Sequence, residues 1–63
     1  MKCVKLTIEL ENAAFSPDPG YEVSRIMREL AKDVENRGIG SYSLHDINGN
    51  RVGEFKIAAC RRG

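Results

Sequence analysis

Val23, Ile26, Met27, Leu30, Ala31 and Val34 recur at intervals of three and four residues, so a helix through them carries a single apolar stripe. Such a stripe needs a sheet to cover it, and the chain is only 63 residues long. The helix is bounded in the sequence itself. Asp18-Pro19 reads as an N-cap followed by proline at the first helical position, where the missing N–H costs nothing. Gly38 supplies a left-handed stop, so the spacing predicts a helix from about Pro19 to Arg37. Tyr21 falls near its start. Glu22, Arg25, Arg28, Glu29, Lys32, Asp33, Glu35 and Arg37 are expected on the solvent side, with Asp33 and Arg37 spaced to pair.

The segments on either side alternate instead. From Lys2 to Leu10, Val4, Leu6, Ile8 and Leu10 recur at period two, the mark of a half-buried strand. Asn12 to Gly20 holds both prolines and ends that ladder, and Phe15, its one large apolar residue, is expected to plug the end of the core. Further on, LHDINGNRVGEF sets Asn48-Gly49 between two alternating runs, and this pair tolerates the positive backbone dihedrals of a tight hairpin. A two-residue turn there keeps Tyr42, Leu44, Phe55, Ile57 and Ala59 on one face, with Leu44 opposite Gly53 and Tyr42 opposite Phe55. Centring the turn on Gly49-Asn50 preserves the faces. A three-residue loop closed by Ile47 and Arg51 would divide Leu44 from Phe55 unless a bulge restored the register, so a two-residue turn is expected. Gly53 is expected to mark a twist or a close approach of the helix backbone.

The order strand, helix, strand, strand predicts one α+β domain over residues 1–63. One helix packs on a three-stranded antiparallel sheet of spatial order 2-3-1. The other sheet face carries Lys5, Thr7, Glu9, Ser41, Ser43, His45, Glu54 and Lys56, with Ile47, Val52 and Ala58 among them. This mixture is the candidate interaction face. A domain so small buries only about 60% of the surface its unfolded chain exposes. Two cysteines and one histidine fall short of a four-ligand zinc site or a disulfide framework. The expected remedy is a partner subunit, a homodimer being favoured over a larger assembly.

Ten basic and nine acidic residues leave a net charge of +1, so no overall field directs the chain to nucleic acid or an anionic membrane. No long apolar run suggests a membrane span or signal peptide, and a cytoplasmic location is expected. No nucleophile elbow, phosphate-cradling glycine loop or paired carboxylates stand out, and neither enzymatic activity nor a cofactor is expected. Adjacent strand residues point to opposite faces, so His45 and Asp46 cannot act as a base and its orienting carboxylate. Asp46 and Arg51 straddle the turn on one face and are expected to form a cross-strand ion pair. Cys3 and Cys60 share the open face, and a register setting them opposite keeps Leu6 with Ile57 and Ile8 with Phe55. Two readings follow, a redox pair or metal clip, and two small residues kept reduced in a cytosol where disulfides are rare; the second is favoured. Arg61 and Arg62, with Lys2, Lys5 and Lys56, give the sheet a basic end, hence a second reading as a weak nucleic-acid binder.

LTIELENAAF, DPGYEVSRIMREL and DINGNRVGEFKI together resemble a group of short proteins encoded by bacteriophages and prophages. The likeness spans roughly residues 4–57 and is most distinctive at Asn12 to Phe15, at Glu22 to Leu30, and at Asp46 with Asn48-Gly49-Asn50, Val52 and Gly53. It implies an accessory role in a bacterial host cell, such as binding a host or phage protein or blocking a defence system, and it implies no catalytic residues. The element order also looks like that of the flavin-storing dodecins, whose flavin stacks on a tryptophan; this chain has none.

Overall fold

The computed structural model describes residues 1–60. The chain forms β1 (Lys2–Ile8), a short 3-10 turn (Ala13–Phe15), α1 (Pro19–Arg37), β2 (Tyr42–His45) and β3 (Arg51–Ala59). The three strands make one antiparallel sheet in the order β1-β3-β2, with α1 on one face, as the sequence pattern predicts. Asp18 caps α1 by accepting from the Tyr21 N–H, proline occupies the first turn, and Gly38 closes the helix at φ +90° with its N–H on the Val34 carbonyl. The Asp33–Arg37 pair does not form among the described residues.

The core consists of Phe15, Ile26, Leu30, Leu44, Val52 and Phe55, with Ile8, Ala14, Val23, Val34 and Tyr42 packed at its margin. Phe15 plugs one end as expected, held there by the 3-10 turn, whose N-cap Asn12 accepts from the Ala14 N–H. The helix is turned away from the expected orientation. Its buried line runs Glu22, Ile26, Leu30, one residue every turn, while Met27 is 47% exposed and Ala31 lies open. Glu22, expected in solvent, is only 3% exposed. The reason is polar: Arg25 chelates the Glu22 carboxylate at 2.7 and 2.9 Å, and the Ile47 N–H donates to it at 2.8 Å, docking this edge of the helix onto the hairpin.

The hairpin corrects four further expectations. The Asp46 N–H donates to the Asn50 carbonyl and the Gly49 N–H to that of Asp46, so the loop has three residues, Ile47 to Gly49, with Gly49 at φ +86°. A wider loop is favoured because the Asp46 carboxylate accepts from the N–H groups of both Asn48 and Asn50, closing the turn from inside. His45 then faces Arg51 while Leu44 faces Gly53, which leaves Val52 as an extra residue in a bulge. Beyond the bulge, Tyr42 opposite Phe55 is the expected pairing. The bulge also turns Val52 into the core, 4% exposed, so it leaves the open face to which alternation assigned it. The expected Asp46–Arg51 ion pair is absent, because Asp46 is buried among its hydrogen bonds and Arg51 reaches Glu54 at 3.6 Å. At Gly53 the close approach comes from β1 and not from the helix: a Cβ there would overlap the carbonyl oxygen of Thr7.

Between β1 and β3 the register sets Leu6 opposite Phe55 and Ile8 opposite Gly53, two residues from the expected one. Face assignment survives a shift of two. Cys3 therefore faces Ala58, not Cys60, yet Cys60 lies diagonally beyond at a Cα separation of 5.2 Å and is joined to Cys3 in a disulfide. The reading as two reduced thiols is corrected by that bridge.

Candidate functional site

Two assemblies stand out. The first is a polar clamp at the hairpin end, which joins the 3-10 turn, α1 and the hairpin loop. Asp46 accepts from the Asn12 side chain at 2.8 Å, from the Asn50 side chain at 3.2 Å, and from the N–H groups of Asn48 and Asn50. Glu22 and Arg25 dock alongside, with Arg25 also donating to Glu29 and to the His45 carbonyl. Burial acts to raise the Asp46 carboxyl, but the hydrogen bonds from Asn50, Asn12 and Asn48 outweigh it and hold the group below its ordinary value of 3.8. For Glu22 the hydrogen bond from Arg25 dominates over burial, and with the Ile47 N–H it keeps the carboxyl below 4.5. The same pairing raises Arg25. Among the described residues no buried side-chain polar atom lacks a partner, and the clamp fastens the hairpin, the 3-10 turn and the helix to one another.

A pH dependence follows. Both carboxyls titrate lower in the folded chain than in the unfolded one, so their contribution is complete above about 4.5 and is lost as pH falls through the depressed folded values. The melting temperature, followed by circular dichroism, should stay level from about pH 7 to about pH 5 and then fall steadily toward about pH 2. A level melting temperature across the acid range would show that the clamp does not hold the fold.

The second assembly is apolar. Because α1 is turned toward β2 and the hairpin, it leaves the β1 side of the sheet uncovered. A groove of about 460 Å³ opens there, lined by Leu6, Met27, Leu30, Ala31, Val34 and Phe55 with Glu35 at its rim. Val4 at 51%, Leu6 at 41% and Ile57 at 39% exposure extend it along the strands. Val4, Leu6, Met27 and Ile57 occupy core positions by pattern but lie open to water. No signal in single residues foretells this: Arg25 is the neighbour of Glu22 on the same helix, and only the Ile47 N–H ties that pair to the hairpin.

The face expected to make contacts keeps all but one of its residues. Lys5, Thr7, Glu9, His45, Ile47 and Lys56 are exposed and Glu54 is half-buried, whereas Val52 is in the core. Lys5 lies opposite Lys56, and Glu54 is 3.4 Å from the Lys56 ammonium, so charge there is mixed. Arg61 and Arg62 lie outside the described residues. Cys3 and Cys60 are half-buried at the end of the sheet. Among the described residues there is no group of three or more His, Cys, Asp or Glu able to hold a metal, and no helix is long and apolar enough to cross a membrane.

These features define a small α+β domain, one helix on a three-stranded antiparallel sheet, with an apolar groove beside its edge strand. No protein-family model, curated protein or solved structure matches the chain.

Proposed function

We propose that this chain is a non-enzymatic accessory protein, of the phage or prophage kind its motifs resemble, that acts by binding another protein and thereby modulates a host protein or defence system. The observation that carries the reading is the groove between α1 and β1. Val4, Leu6, Met27 and Ile57 are side chains of core type left in contact with water on a domain too small to spare them. Covering them by a partner's apolar side chains recovers the burial that the isolated fold forgoes.

The test compares capture by tagged variants from lysate of the bacterial host. Leu6→Glu and Met27→Glu place a charge in the groove at positions already open to water, so the fold should survive and capture of the partner should fall about tenfold or more. His45→Ala, on the far face, should leave capture unchanged. Capture indifferent to both groove variants would sink the reading. Capture lost after nuclease treatment would instead favour the second reading, nucleic acid held by the basic end of the sheet around Lys5 and Lys56.

A further inference from the structure

We infer that the chain forms a homodimer by antiparallel pairing of β1 with β1 of a second copy, centred on Thr7. The inference rests on the proposed function only for what the dimer binds. β1 is an edge strand, paired with β3 on one side alone. The Glu9 N–H donates to the Val52 carbonyl and the Cys60 N–H to the Met1 carbonyl, so the odd residues of β1 direct their main-chain groups toward β3. Those of Lys2, Val4, Leu6 and Ile8 therefore point outward along an open edge, a template for another strand.

The side chains select the register. A two-fold axis through Thr7 sets Thr7 opposite itself and Leu6 opposite Ile8. With the two residues that follow β1, it sets Lys5 of each copy opposite Glu9 of the other and Val4 opposite Leu10; at Glu9 the main chain still bonds Val52. Opposite charges meet on one face, and apolar residues meet apolar residues on the other. Leu10, 50% exposed, and Val4 both gain cover. Moving the axis to Lys5, the middle of the strand, would set Lys5 against itself. Moving it to Leu6 would leave Lys5 facing Thr7. An axis at Ile8 would set Thr7 opposite Glu9 and the apolar Val4 opposite Asn12, which is already committed to the 3-10 turn and Asp46. A centre at Thr7 also abuts the two grooves, making one apolar trough between the paired helices, which suits the proposed binding of a larger protein surface.

Three measurements decide it. Light scattering on the intact chain should show twice the monomer mass, and a monomer at about 1 mM would overturn the proposal. Thr7→Cys should give a covalent dimer under mild oxidation where the unaltered chain gives none. Directly opposed residues of a non-hydrogen-bonded pair have Cα atoms about 4.5 Å apart, within reach of a disulfide. K5E and E9K each oppose like charges twice per dimer and should weaken it roughly tenfold, while the double variant K5E/E9K should restore it. Neither single variant breaks an ion pair within the described residues, so folding is not at stake. A dimer that fails to cross-link through Thr7→Cys, or that ignores the charge swaps, would place the interface elsewhere and overturn the inference. A monomer that still captures a partner through Leu6 and Met27 would overturn the dimer alone, and a dimer that captures nothing would overturn the proposed function alone.

Discussion

Replacing Cys3 and Cys60 with serine, or reducing the bridge between them, is expected to lower the unfolding free energy by about 4 kcal/mol. The bond joins residues 57 apart in sequence, nearly the whole chain, and so removes much of the freedom of the unfolded state. A domain of this length has a total stability of only about 3–9 kcal/mol, so the loss would leave it marginal or unfolded. Urea titration with and without reductant, with free thiols counted on the same samples, reads the effect directly. An unchanged midpoint after full reduction would refute it. The outcome also bears on where the protein works, because a reducing cytosol, the expected location, disfavours such a bridge.

Gly53→Ala is expected to be nearly as damaging, at about 3 kcal/mol or more. The Cβ would overlap the Thr7 carbonyl oxygen, and it would lie 2.9 Å from the Thr7 carbonyl carbon and 3.0 Å from the Ile8 Cα. These are backbone atoms of a paired strand, so no side chain can swing aside to make room. Either β1 separates from β3 or the bulge beside Val52 is lost. Gly40→Ala is the control, since a Cβ there meets nothing within 4 Å. Denaturant midpoints of the two variants should differ widely, and near-equal midpoints would mean that β1 moves away at little cost.

Gly53 illustrates how far a single sequence can be read. Its place inside an alternating strand marks it as unusual, and close backbone approach is the right reason. That β1, not α1, makes the approach depends on strand pairing just past a bulge three residues from the loop. Glu22 shows the same division. Helical spacing makes it a surface residue with Arg25 one turn on, and only the Ile47 N–H, 25 residues away in sequence, docks that pair against the fold and makes burial tolerable for the carboxylate.

The candidate site divides similarly. Leu6, Met27 and Phe55 are recognisable as apolar residues of core-facing type, but nothing local says that α1 will lean off β1 and leave a groove among them. Alternation describes faces and not coverage, so it marks the open face and is silent on whether α1 covers the other. Val52 was misplaced for a related reason: parity counts hold only until a bulge inserts a residue.

The element order, the ends of α1, the role of Phe15, the strand pairing and the face of nearly every strand residue were determined by the sequence alone. Each depends on local stereochemistry: helical and strand periods, a proline that needs no N–H, and a glycine that accepts positive φ. The tertiary structure alone decided the three-residue loop, the inward turn of Val52, the burial of Glu22 and Asp46, the disulfide, and the groove along β1. Those depend on which donors and acceptors meet across the fold. A buried carboxylate must satisfy its hydrogen bonds wherever partners stand, and the helix turned to let it do so.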